Sequence, residues 1–123
     1  MELSPYSPRQ SRDKIWFLCR ARGGSPIEQL IARLDGRARR ATLHVFDWVE
    51  TSACPSSKDR LRHLGGDVYE FKVHRPVPMR YVAFRCDVGW VIAYALRKPG
   101  ETVLRQLMRQ TQWLHDEYER ERQ

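Results

Sequence analysis

Val68-Tyr69-Glu70-Phe71-Lys72-Val73-His74, Arg80-Tyr81-Val82-Ala83-Phe84-Arg85-Cys86 and Trp90-Val91-Ile92-Ala93-Tyr94-Ala95-Leu96 follow one another within residues 68–96, and these three runs decide the fold. In the first, Tyr69, Phe71 and Val73 take one face and Val68, Glu70, Lys72 and His74 the other, the period of two that marks a half-buried strand. Pro76-Val77-Pro78 cannot supply a ladder of backbone donors and reads as a connection. Asp87-Val88-Gly89 reads as the turn into the third run. That third run is the most apolar, which predicts a central position in the sheet.

Working outward, Ile15-Trp16-Phe17-Leu18-Cys19 is a further short strand, ended by Gly23-Gly24. Ser25-Pro26-Ile27-Glu28 then starts a helix: Ser25 can cap, Pro26 suits the first turn, and Glu28 completes a capping box. Ile27, Leu30, Ile31 and Leu34 give it one apolar face, and Asp35-Gly36 breaks it. A second helix is predicted over about residues 37–51, with Ala38, Ala41, Val45, Trp48 and Val49 inward, so the pair forms a helical hairpin. Residues 53–58 read as a loop, and Arg60-Leu61-Arg62-His63-Leu64 as a turn or strand start closed by Gly65-Gly66. From Glu101 helical spacing returns, with Val103, Leu104, Leu107, Met108, Thr111 and Leu114 inward. The expected order is β-α-α-β-β-β-α: an α+β fold with an antiparallel-rich sheet, covered on one face by helices. Residues 15–115 form the domain, residues 1–14 a flexible lead-in, and residues 116–123 a charged tail expected to fray.

The chain of 123 residues is long enough for one hydrophobic core and too short for two. No apolar run approaches the roughly 20 residues of a membrane helix, and residues 1–14 lack the apolar centre of a signal peptide. A cytoplasmic protein with no membrane partner is the expectation. Cys19, Cys54 and Cys86 cannot all pair within the chain, and Cys19 and Cys86 read as buried reduced thiols. None has ligand spacing with His44, His63, His74 or His115, so neither a metal nor a small-molecule cofactor is implied.

Charge narrows the class of partner. Eighteen arginines and four lysines against fifteen acids leave a net charge of +7. Residues 58–98 hold nine basic and four acidic side chains, whereas residues 99–123 hold four and five. A basic middle on a small domain favours a polyanion, and arginine in particular matches phosphate oxygens two at a time.

Residues 61–98 also carry a family pattern: Arg62-His63-Leu64-Gly65-Gly66-Asp67-Val68-Tyr69-Glu70-Phe71-Lys72, then Met79-Arg80-Tyr81-Val82-Ala83-Phe84, then the apolar run ending in Arg97-Lys98-Pro99-Gly100-Glu101-Thr102. It resembles the RelE/ParE superfamily of toxins, and most nearly the phage-derived HigB-like branch, over roughly residues 15–115. Lys72 stands where arginine is commoner, and Tyr94 falls near the position of a family histidine. The resemblance implies the toxin of a type II toxin–antitoxin pair, an endoribonuclease that cuts messenger RNA on the ribosome. Its partners would be a cognate antitoxin, messenger RNA and the ribosome. ParE-like poisoning of gyrase, or nucleic-acid binding without catalysis, are the alternatives it leaves open.

Metal-independent RNA cleavage uses the 2′-hydroxyl as nucleophile and needs a base, cations for the charge building on phosphate, and an acid for the leaving 5′-oxygen. Lys72, Arg80, Arg97 and Lys98 are the expected catalytic cluster, since neighbouring cations can also bring a lysine within reach of base duty. Arg80 has the firmest place in the family pattern and is expected to be an exposed strand-end guanidinium that binds phosphate. Arg60, Arg62, Arg75 and Arg85 are the further expected RNA contacts, and Tyr94 and Glu70 the candidates for proton transfer. His63 and His74 read as surface histidines.

Overall fold

The computed structural model describes residues 1–52 and 57–123. In chain order the elements are β1 (Leu3–Pro5), β2 (Ile15–Leu18), α1 (Pro26–Arg33), α2 (Gly36–Thr51), β3 (Leu61–Gly65), β4 (Val68–Val73), β5 (Met79–Cys86), β6 (Gly89–Arg97) and α3 (Glu101–Arg122). They make an α+β fold with one six-stranded mixed sheet in the order β1-β2-β6-β5-β4-β3. Among the described residues β2 and β6 form the one parallel pair; the other neighbours run antiparallel. Of the loop predicted over residues 53–58, residues 53–56, with Cys54, lie outside the described residues.

The first helix starts at its predicted cap, and Asp35, read from the sequence as a breaker, also caps the second. Ser25 accepts from the Glu28 backbone N–H, and Asp35 accepts from those of Arg37 and Ala38. Their apolar sides bury Ile27, Ile31, Val45, Phe46 and Val49 against one face of the sheet. Phe46 is the hub there, with the rings of Tyr6, Phe17, Phe71 and Tyr81 centred 5.1 to 6.2 Å away. Each such ring, fully buried, stabilises the fold by about 2–3 kcal/mol.

Several features depart from the sequence-based expectation. Part of the lead-in forms a strand: β1 pairs with β2, and Tyr6 donates its backbone N–H to the Ile15 carbonyl. Residues 61–65 are a complete edge strand, β3, paired along β4. The sheet is covered on both faces, because α3 lies across the face opposite the hairpin, with Thr111 buried and His115 and Tyr118 against Phe84. Finally, α3 runs unbroken through residues 116–121, held by Tyr118 donating to Asp87 and by the Met1 ammonium on Glu121. Val103, expected inward, is instead 46% exposed, because the first turns of α3 rise off the sheet.

The buried Glu50 carboxylate of α2 fastens the N-terminal segment. It accepts from the Ile15 backbone N–H at 2.7 Å, from Ser7 Oγ at 2.5 Å and from Arg9 Nη1 at 3.0 Å. These bonds satisfy a charge that would otherwise cost several kcal/mol to bury.

Gly89 opens β6 at φ +121°, and a Cβ there would strike the Lys14 backbone carbonyl, which accepts the Trp90 N–H. Neither the backbone angle nor the rigid neighbour can yield. Gly89→Ala should therefore destabilise the protein by about 2 kcal/mol or more, read as a lower urea midpoint.

Burial pushes the Tyr81 phenol up to about 12 from its ordinary 10, offset in part by its bond with Thr42. The folded state thus holds this proton more tightly than the unfolded chain. The contribution is complete below pH 10 and is lost as pH rises toward 12. The urea midpoint should fall between about pH 10 and about pH 12, and less steeply in Tyr81→Phe.

Candidate functional site

Where α3 rises from the sheet, a cleft of about 790 Å³ opens between its first two turns and strands β3, β4 and β5. Arg62, Lys72, Arg80, Lys98 and Arg105, with the carboxylates Glu70 and Glu101, supply its charge; His63 also lines it, and Leu64, Pro99, Leu104 and Met108 form its apolar wall. The strand ladder places these groups. Arg62 lies opposite Glu70, and Lys72 opposite Arg80, so adjacent strands send four ionisable side chains to one face. The cleft's far end is set by α3, because the β3–β4 turn at Gly66 and Asp67 is tied to the helix. There the Asp67 backbone N–H donates to Gln112 Oε1 at 3.0 Å, and Gln112 Nε2 donates to Asp67 Oδ2 at 3.2 Å.

Glu70 forms the floor. It is only 2% exposed, with Arg62 Nε 3.0 Å from Oε1 and Arg80 Nε 3.8 Å from Oε2. The Arg62 contact is an ion pair without hydrogen-bond alignment, and Oε1 has no hydrogen-bond partner. Arg80 is not the exposed strand-end residue the sequence suggested: it is 7% exposed, and its Nη1 donates to the Met79 carbonyl at 3.0 Å and to that of Val73 at 3.4 Å. Its Nη2 makes no hydrogen bond among the described residues, so one edge of the guanidinium remains for a ligand. Above this floor Lys72 Nζ donates to the Lys58 carbonyl, and the backbone N–H of Lys98 to that of Pro78. Lys98 itself is exposed at the cleft mouth.

No family model, curated protein or solved structure matches this chain. The site therefore rests on its own geometry.

Of the four residues expected to form a cationic cluster, Lys72, Arg80 and Lys98 meet in the cleft, but Arg97 does not. It pairs with Met79, a core residue of the hairpin face, and so projects to the opposite side of the sheet. Among the expected RNA contacts, only Arg62 lines this cleft. Arg60 stacks over the Trp48 ring of α2, and Arg75 lines a separate hollow with Arg37 and Arg40. Arg85 is occupied, its Nη1 2.7 Å from Asp13 Oδ1 and its guanidinium 4.5 Å from the centre of the Trp90 ring. Tyr94 shares the face of Arg80 and Lys72 but lies outside the cleft lining, and burial raises its phenol, which keeps it protonated. His63 stacks on Tyr69 and bonds the Gly66 carbonyl, while His74 bonds the Asp59 carbonyl.

Glu101, Leu104, Arg105 and Met108 were not anticipated. Leu104 and Met108 read as core positions by helical spacing, and nothing in the sequence tells that the helix leaves the sheet there. Arg105 and Glu101 form an exposed pair one turn apart, 3.2 Å between charges, which reads as an ordinary surface bridge. Cys19 and Cys86 are free and half-buried, and burial raises both thiols. Among the described residues no group of histidine, cysteine or carboxylate side chains is arranged to hold a metal ion, and no helix is long and apolar enough to cross a membrane.

Arg80→Ala should cost about 2–3 kcal/mol of stability, because it leaves Glu70 buried with a single, half-exposed partner. Adding Glu70→Gln to that variant removes the uncompensated charge and should restore part of the loss. Urea unfolding of the single and double variants measures both effects, and equal midpoints would refute the coupling.

Proposed function

We propose that this chain is a toxin of the RelE/HigB kind, a metal-independent endoribonuclease that cuts messenger RNA during translation and is held in check by a cognate antitoxin. The observation that carries the reading is the convergence of Lys72, Arg80 and Lys98, with Arg62 and Arg105, in one cleft. A gyrase binder needs no such convergence, whereas a phosphodiester passing to a dianionic transition state does. The resemblance read from residues 61–102 supports the same reading.

On this reading Arg80 binds the scissile phosphate. Its guanidinium stays charged at any working pH, and Glu70 with the two strand-end carbonyls holds it in place before substrate arrives. Lys72 and Lys98 are the groups assigned to proton transfer: one, in its neutral form, takes the proton of the attacking 2′-hydroxyl, and the other, as the ammonium, delivers one to the leaving 5′-oxygen. Glu70 is committed to the arginines and serves as a positioning residue. The apolar wall of Leu64, Leu104 and Met108 offers a surface on which a base can rest.

Induction of the chain in cells should arrest translation and yield new RNA 5′ ends within translated messages. Because Lys72 and Lys98 are at least partly exposed, Lys72→Ala and Lys98→Ala should fold normally, as circular dichroism would confirm. Each should lower cleavage by about a hundredfold to a thousandfold. Co-expression of a small neighbouring reading frame should restore growth. Intact messages accompanied by gyrase-dependent DNA breaks would overturn the ribonuclease reading in favour of gyrase poisoning.

A further inference from the structure

A second concave surface, about 680 Å³, lies away from the cleft and is lined by Arg37, Arg40, Arg75 and Pro76. Its three arginines are exposed, and none makes an ion pair among the described residues. Two of them come from one helix face, since Arg37 and Arg40 stand three residues apart at the start of α2. The acid nearest them in sequence, Asp35, is used as the cap of that helix. Arg75 comes from the connection between β4 and β5. Three guanidiniums brought into one hollow from a helix and a loop, with no carboxylate in the lining to neutralise them, repel one another unless an anion is present.

The strand register sets where this surface lies relative to the cleft. Lys72 faces Arg80 at the end of the β4–β5 pair, and the next pair is Val73 with Met79, just before the Arg75 connection. Met79 in turn faces Arg97, and the Lys98 backbone N–H bonds the Pro78 carbonyl of the same connection. The cleft cations and the arginine surface therefore share one end of the sheet but occupy its two faces. Arg97, exposed on the hairpin side, stands at the edge between them. The cleft at Lys98 and the surface of Arg75, Arg37 and Arg40 are thus linked through the β4–β5 connection and the end of β6.

We propose that the surface of Arg37, Arg40 and Arg75 is a second phosphate-backbone subsite, which holds a single-stranded RNA a few nucleotides away from the bond in the cleft. This inference rests on the RNA reading of the cleft and adds a footprint to it: affinity should depend on the length of the strand as well as on the residues at the scissile phosphate. Uncharged contacts are absent from the lining apart from Pro76, so the subsite should recognise backbone and not base sequence.

The test is equilibrium binding of 2′-O-methyl oligouridylate, which cannot be cleaved through its 2′-oxygen, at about 4 and about 12 nucleotides. The intact protein should bind the longer strand about tenfold or more tightly than the shorter. The triple variant Arg37→Gln, Arg40→Gln, Arg75→Gln should bind both lengths alike, with the short-strand affinity unchanged. Its slope of log affinity against log salt for the longer strand should fall by about 2, three phosphate contacts at about 0.7 each. These positions are exposed, so the variant should keep its unfolding midpoint. An unchanged length dependence and salt slope in the triple variant would overturn the subsite. So would retained RNA binding with loss of antitoxin binding, which would assign the surface to a protein partner. Lys72→Ala with Lys98→Ala separates the two levels: it should weaken the short strand, and if it does not, the RNA reading of the cleft itself fails.

Discussion

The pairing of β5 with β6 at the centre of the sheet governs the rest of the molecule, because it carries a one-residue shift of register. Ala83 faces Ile92, but Val82 faces Tyr94, so Ala93 is an extra residue on β6. A bulge of this kind reverses the alternation of every side chain beyond it. Before it, Trp90 and Ile92 point to the helical hairpin; after it, Ala95 and Arg97 do. Strict alternation from Ile92 would have sent Arg97 to the face of Lys72 and Arg80, and Tyr94 and Leu96 into the hairpin core. The bulge thus decides which basic residues share the cleft and which look out from the opposite face.

Two buried carboxylates do the fastening on the two sides of that sheet. Glu50 of α2 gathers a backbone N–H, a hydroxyl and a guanidinium from the N-terminal segment, and so holds β1 and β2 against the hairpin. Glu70 of β4 stands between two guanidiniums and accepts a hydrogen bond from neither. The first is fully answered and serves stability. The second is under-satisfied beneath a cationic cleft, an arrangement that gives up some stability and in return pre-orients a charge for a ligand.

The helix that covers the second face completes the cleft by leaving it. Its middle is bound to the sheet through Thr111, through Gln112 on the β3–β4 turn, and through His115 and Tyr118 against Phe84. Its first turns have no such partners; Val103 is exposed and Leu104 and Met108 are half-buried. Trp113, 59% exposed on the outer side of the same helix, adds no contact to the sheet. The cleft volume is therefore the gap between a helix anchored at its middle and a sheet whose exposed rows are charged.

Local physics alone accounts for much of this architecture. The cap at Ser25, the break at Asp35-Gly36, the apolar stripes of α1 and α2, the alternation of β4 and the proline-bounded connection at residues 76–78 are all properties of neighbouring residues, and they appear where the sequence predicts them. Lys72, Arg80 and Lys98 were legible as a group because two of them sit on strands whose faces can be counted and the third just beyond a strand end. The remainder depends on groups far apart in the chain. That the first residues form β1 follows from bonds to Glu50 and β2, partners no local pattern announces. That the sheet is covered twice follows from where α3 lands, which the sequence of α3 does not state. That Arg80 is buried, Arg85 occupied and Arg97 turned away follows from Glu70, from Asp13 with Trp90, and from Ala93 respectively. Periodicity tells which side of its own element a residue takes; only packing between elements tells what that side meets, because burial and ion pairing are set by distances in space and not by spacing along the chain.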